Sequence, residues 1–301
     1  MLRQKIKANS AGIILYGLTP PRIGTDFSKC EQIAKTQLER LENSGIDGLV
    51  IYDLQDESNR NQNERTFAFK DTIPPEIYHK NYLKNAYNAV IYKAVSKYNS
   101  NDLKEFLQNN NDLISVFVGV SSKKDIPKTK LSDAYKIKAQ VAPNIILGGI
   151  CIPERHIKKG DEDERVAHKI AQGCEFFITQ AVYNPKNAIK FLDDYSYLCA
   201  YENVPRVPII FTFTPCGDLA TLSFMRWLGI DVPLSFQAAL NASSNPLEMS
   251  IQTSLQSFKL LYNTGKKLGL SVGANIESIS AKKSEIDASI RLLALIKNQV
   301  L

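Results

Sequence analysis

Eight short apolar runs alternate with helical stretches from one end of this 301-residue chain to the other. The runs are Ile13–Gly17, Gly48–Tyr52, Ala89–Val95, Ile114–Val120, Ile145–Ile152, Glu175–Thr179, Val207–Thr212 and Leu270–Ile276. Most are continuous in Val, Ile and Phe rather than alternating, which suits strands covered on both faces of a parallel sheet. Between them lie helical patterns. Ser28–Asn43 carries Ile33, Leu38 and Leu41 on one face, with Gly45 placed to cap its end. Asn101–Asn110, Leu131–Val141, Glu162–Gln172 and Asn184–Leu198 follow, and Ser284–Lys297 opens with Ser284 and Asp287 at capping-box spacing. Leu234–Leu268 exceeds one crossover and reads as two helices before the eighth strand. This repetition, with no linker or shift in composition, predicts an α/β fold: a single (β/α)8 TIM barrel over residues 1–301. An open doubly wound sheet competes, but no G-x-G-x-x-G follows the first strand.

At 44% hydrophobic residues the chain can bury a core of that size. Its longest apolar runs are strand-sized, so no membrane span is expected. The basic start, MLRQKIKANSAG, lacks the apolar stretch of a signal peptide, and a cytoplasmic location is expected. The net charge of +6 is spread among acidic residues. That pattern describes a solvated surface with some attraction for anionic ligands, such as a polyglutamate tail or a nucleotide phosphate. No basic stripe interleaved with aromatics suggests nucleic-acid binding. The five cysteines (Cys30, Cys151, Cys174, Cys199, Cys216) are odd in number and widely spaced. They read as reduced core thiols rather than disulfides or a zinc site, and with three histidines no metal centre is expected.

In such barrels the chemistry lies at the carboxyl ends of the strands. Those positions hold Tyr16 and Thr19, Tyr52, Asp53, Asp56 and Glu57, then Lys93, then Gly119, Ser121 and Ser122. Glu154, Arg155 and His156 follow, then Thr179 and Gln180, Thr212 and Thr214, and finally Asn275 and Glu277. This rim is polar and acidic, and no H-E-x-x-H, P-loop or nucleophile elbow accompanies it. Lys93 raises a Schiff-base reading against that of a snorkelling surface lysine. "DLQDESNR" (53–60) sets three acids after the second strand, either a solvated turn or a source of an acid held near neutrality by burial. "PERH" (153–156) reads as a turn. Asn275 and Glu277 share one face of the eighth strand, so both should face the mouth.

Several blocks together resemble methylenetetrahydrofolate reductase. "YGLTPPR" resembles the end of that family's first strand at its two prolines, and "GGICIPERH" resembles its Pro-Glu-x-His turn. "KIAQGCEFFITQAVYN" (169–184) is the most specific match, and "VPIIFTFTP" resembles the seventh-strand block. The resemblance implies a (β/α)8 barrel that reduces 5,10-methylenetetrahydrofolate to 5-methyltetrahydrofolate with NAD(P)H, generally through FAD, in one-carbon metabolism and methionine biosynthesis. It matches Gln180 to a pterin contact. It matches His156, Lys169 and Glu162 to groups holding the flavin's ribityl–phosphate part, and Tyr52 and Arg65 to further flavin contacts. Tyr16 and Glu154 join Gln180 as expected folate contacts at the strand ends.

Two strand ends, with three positions, depart from the family pattern. Its first-strand catalytic Glu falls on Gly17, and its fourth-strand Arg and Asp fall on Val118 and Val120. None of these side chains can exchange a proton or accept a hydrogen bond. Three readings follow. The acid has moved to another strand end, with Glu57, Asp53, Glu154 and Glu277 as candidates in that order. Alternatively the flavin is dispensed with, and hydride passes directly from the nicotinamide. The third reading is a folate- or flavin-binding subunit without turnover, a partner in a corrinoid or reductase complex. A homo-oligomer or an electron-transfer partner is compatible with each. No regulatory module is expected after the last helix.

Overall fold

The computed structural model describes residues 2–63, 65–122 and 124–300. Eight strands close a parallel barrel: β1 (Ile14–Leu18), β2 (Gly48–Ile51), β3 (Ala89–Ala94), β4 (Ile114–Val118), β5 (Ile146–Cys151), β6 (Cys174–Ala181), β7 (Ile209–Phe213) and β8 (Val272–Ile276). Each pairs with the next in sequence, and β8 returns to β1 with Tyr16 opposite Ile276.

The helices are α1 (Leu2–Lys7), α2 (Phe27–Leu41), α3 (Pro75–Asn81), α4 (Ser100–Asn109), α5 (Leu131–Val141), α6 (Pro153–Lys159), α7 (Glu162–Ala171), α8 (Pro185–Tyr201), α9 (Leu219–Trp227), α10 (Leu234–Ala242), α11 (Pro246–Leu268) and α12 (Lys283–Lys297). The long segment before β8 thus holds two helices, α10 and α11, as expected. Four helices begin on proline, α3, α6, α8 and α11, where the missing N–H costs nothing. "PERH" is therefore the first turn of a helix, not a loop.

Two caps differ from expectation. α2 ends at Leu41 and leaves Gly45, with φ +63°, in the turn beyond. α12 starts one residue early, so Lys282 is its cap and Ser284 makes no capping bond.

Strand alternation divides the core in two. Leu15, Val50, Val90, Tyr92, Val116, Ile146, Phe176, Ile178 and Ile210 fill the lumen. Their neighbours in sequence, such as Ile14, Tyr16, Ile51, Ile91, Phe177 and Phe211, pack outward under the helices. Helix α1, unforeseen in the sequence, buries Leu2 and Ile6 against the lumen cluster and plugs the barrel's amino-terminal end. The five cysteines are buried and unpaired. Among the described residues, no helix is long and apolar enough to cross a membrane.

Candidate functional site

At the carboxyl end the lumen turns from apolar to polar. Asn275, fully buried on β8, donates from Nδ2 to the Tyr52 hydroxyl at 2.9 Å and to Thr212 Oγ1 at 3.2 Å. Tyr52 meets Tyr92 edge-on, ring centroids 4.9 Å apart. Gln180 shares the inward face of β6 with Phe176 and Ile178. Its amide donates to the Leu228 carbonyl at 2.6 Å. Tyr52, Gln180 and Glu277 are each half-buried, so this layer is the floor of an open mouth.

Glu277 follows β8 and forms a hydrogen bond with Tyr52. Burial pushes its carboxyl above the ordinary range, and the tyrosine hydroxyl partly offsets that rise. Its position depends on Gly17. A Cβ at residue 17 would lie 2.9 Å from the Glu277 Cβ and 2.9 Å from the Tyr52 hydroxyl oxygen. Glu277 and Tyr52 therefore fill the room a side chain on β1 would occupy. In the sequence Gly17 stands as the loss of an acid; in the fold it is the space that Glu277 of the neighbouring strand and Tyr52 take up.

The other expected catalytic acids are engaged elsewhere. Asp53 is buried outside the lumen, accepting from the Ala94 N–H at 2.9 Å, Lys97 Nζ at 2.8 Å and the Tyr98 hydroxyl at 3.1 Å. Glu57 accepts two bonds of 2.9 Å from Arg60, whose third donor reaches the Leu228 carbonyl at 2.7 Å. Together with Asn61, which donates to the Trp227 carbonyl at 2.8 Å, that pair straps the segment after β2 to the turn after α9. Gln180 donates to the same Leu228 carbonyl, so the strap reaches the floor of the mouth.

Tyr16 does not face the mouth. Alternation turns it outward, where its hydroxyl meets Ser289 Oγ at 2.6 Å. Lys93 also points outward, 3.1 Å from Glu76 and 3.9 Å from the centroids of Tyr98 and Phe106. Bound in this way it is no Schiff-base lysine.

Most residues matched to flavin contacts make contacts within the chain, although Arg65 Nε and Nη1 are buried without a hydrogen-bond partner among the described residues. His156 is 3% exposed; its Nε2 meets Asp194 at 2.7 Å and its Nδ1 accepts from the Glu162 N–H at 3.3 Å. Glu162 is fully buried, accepting from the Ile152 N–H at 2.8 Å and from Arg155 at 3.1 Å. Lys169 donates to the Ile150 carbonyl. These three knit α6, α7 and α8 to the outside of the barrel. Arg65 is held among Phe69, Phe224 and Trp227, its guanidinium 5.0–5.5 Å from the three rings. Of the set, Tyr52 alone reaches the lumen, and it is shared with Asn275 and Glu277.

Glu154, the remaining expected folate contact, lies at the carboxyl end of β5, 5% exposed. Neither of its oxygens has a hydrogen-bond partner among the described residues.

The fold and this mouth define a (β/α)8 barrel with an acid-bearing polar floor. The family model of methylenetetrahydrofolate reductase matches residues 128–268. A solved structure of an uncharacterized protein from Clostridium thermocellum, which binds two copies of 5-methyl-5,6,7,8-tetrahydrofolic acid, is 43% identical. It covers 99% of this chain and 100% of its own, with a TM-score of 0.88. The chain belongs to the methylenetetrahydrofolate reductase family. The structure of apo-MsnO8, 11% identical with a TM-score of 0.53, covers 94% of this chain and 97% of its own and shares the fold alone. No curated protein matches the chain.

Proposed function

We propose that the barrel mouth binds a reduced folate and reduces 5,10-methylenetetrahydrofolate to 5-methyltetrahydrofolate, with hydride delivered directly from NAD(P)H. The observation that carries the reading is Glu277 at the mouth, its Cβ and the Tyr52 hydroxyl taking the space that a side chain at Gly17 would fill. Family membership supplies the substrate class, and the folate bound by the 43%-identical protein supports it.

The chemistry asks for an acid there. The methylene carbon bridges a pteridine nitrogen and an arylamine nitrogen. Protonating the arylamine nitrogen breaks its bond to carbon and leaves a methylene-iminium cation on the pteridine nitrogen. Hydride from the dihydronicotinamide adds to that carbon, giving the methyl group and the oxidised nucleotide. One proton and one hydride are consumed, and the products balance. Burial raises the Glu277 carboxyl above its ordinary range, the direction a proton donor at this position needs. Tyr52 and Asn275 fix the geometry of that donor. Once the cation forms, the resulting carboxylate stabilises it in a partly dry site.

Direct transfer is favoured over a flavin because His156, Glu162 and Lys169 are committed to internal contacts. The test is NAD(P)H oxidation by purified protein on adding methylenetetrahydrofolate, alongside its visible spectrum. The reading expects turnover without a flavin band. A flavin band with turnover removes the direct-transfer part. Tight folate binding without loss of NAD(P)H assigns the chain instead to folate binding without catalysis.

A further inference from the structure

One backbone carbonyl joins the segment after β2 to the floor of the mouth. Leu228 caps the carboxyl end of α9, and Gly229 follows it with φ +78°. The Leu228 carbonyl thus lies past the last rung of the helix and needs donors from elsewhere. It has two, Arg60 Nη1 at 2.7 Å and Gln180 Nε2 at 2.6 Å. A carbonyl oxygen carries two lone pairs, and both are used. Arg60 is itself fixed, with Nε and Nη2 each 2.9 Å from a Glu57 oxygen. The segment that carries it is tied down on two sides. Toward β4, Gln55 donates to the Gly119 carbonyl at 3.0 Å and Asn59 to Asp125 at 2.8 Å. Toward α9, Asn61 donates to the Trp227 carbonyl at 2.8 Å, and Trp227 Nε1 donates to the Asn63 carbonyl at 3.0 Å. A guanidinium is the stronger of the two donors on Leu228, so Arg60 sets where that carbonyl stands and Gln180 follows it.

The consequence falls on the Gln180 amide, whose two ends have nearly the same shape and opposite hydrogen-bonding character. A carbonyl only accepts, so the end that meets Leu228 is the NH2 and Oε1 is turned away from it. Gln180 lies half-buried on the lumen face of β6. Its Oε1 accepts no bond among the described residues and is not closed off from solvent. The mouth is therefore offered an acceptor at this point, matched to the ring N–H and amino groups of a reduced pterin. With the Leu228 carbonyl displaced, the amide is free to turn over and set its NH2 against those donors. We infer that Arg60 is a positioning residue for folate binding: through the Leu228 carbonyl it holds the Gln180 amide with its oxygen toward the ligand, without touching the ligand itself. This deepens the folate reading above and rests on it.

The experiment measures binding of 5-methyltetrahydrofolate to wild type, Arg60→Met, Gln180→Ala and the double variant. Methionine keeps much of the apolar stem and removes every donor. Arg60→Met is expected to lose about tenfold in affinity, the worth of one oriented hydrogen bond, but less than about twofold when residue 180 is already alanine. Arg60→Lys keeps a charged donor for the Leu228 carbonyl and is expected to stay within about threefold of wild type. Losses of equal size in the two backgrounds overturn the inference, because they show Arg60 acting without Gln180. An unchanged affinity in Arg60→Met beside a lowered melting temperature also overturns it, as does an Arg60→Lys that loses as much as Arg60→Met. If Arg60→Met does not fold, Arg60→Gln, two atoms shorter than arginine, takes its place in the same cycle with the same expectations. If wild type binds no folate, the underlying reading fails first.

Discussion

Two carboxyls occupy the same end of this barrel in different states. Glu277 sits between β8 and β1, hydrogen-bonded to Tyr52, which is anchored in turn by Asn275. Glu154 sits at the start of α6, sealed from solvent, with its own backbone N–H beside its carboxyl and Asp231 and Glu162 as negative neighbours. Burial raises both. The difference lies in what completes them. Glu277 is supported by the chain, as a proton donor must be if its position is to be fixed before substrate arrives. Glu154 is closed off, its two oxygens out of reach of solvent at the start of α6. An acid at the open mouth suits chemistry, and a sealed one suits the fold.

The sharpest break of this comparison is Glu277→Gln. It should reduce NAD(P)H oxidation by about 100- to 10,000-fold, the usual worth of a general acid, while folate binding stays within a few-fold of wild type. Steady-state kinetics and a binding titration separate the two effects. Gly17→Ala comes next. Its methyl group would press on the Glu277 Cβ and the Tyr52 hydroxyl, both 2.9 Å away. The expected cost is about 1–3 kcal/mol in denaturant unfolding, with activity falling alongside.

Glu154→Gln tests the other carboxyl through stability. The folded-state value of about 7 lies above the ordinary 4.5, so the folded protein holds the proton more tightly than the unfolded chain. This contribution is complete below about pH 4.5 and is lost as pH rises through 7, on the order of 3 kcal/mol in all. Melting temperatures of wild type and Glu154→Gln should therefore diverge between pH 5 and 8, the variant gaining.

Tyr52→Phe is a smaller change. The hydroxyl lowers the Glu277 carboxyl, so removing it should move the alkaline limb of the kcat/KM profile to higher pH. Glu57→Gln should do least. Its half-exposed pair with Arg60 is worth about 1 kcal/mol or less, and turnover should be close to wild type. A large loss there would return the acid's role to the segment after β2.

The barrel was legible because buried parallel strands advertise themselves as unbroken apolar runs, and eight of them leave few other closures. α1 was not, because six residues with two apolar positions carry too little periodicity to distinguish a plug from a tail. At the mouth, the two-residue period of β8 correctly turned Asn275 and Glu277 inward. The same period on β1 turns Tyr16 outward, because inward Leu15 and Gly17 fix its face. Asp53 and Glu57 resembled site acids because composition and proximity to a strand end do not reveal partners. Their binding to Lys97 and Arg60 depends on loop geometry that no local pattern encodes. Gly17 was the hardest to read. An absent side chain becomes meaningful only when the fold shows what fills its place.

The central claim is direct hydride transfer to a folate held over Glu277, and the fate of the hydride tests it most directly. Purified protein, with no flavin added, is given methylenetetrahydrofolate and nicotinamide nucleotide carrying deuterium at the transferable position. The account predicts 5-methyltetrahydrofolate whose methyl group retains that deuterium, with Glu277→Gln forming it far more slowly. Washout of the label into solvent, as exchange through a flavin would give, or absence of the methyl product, would contradict it.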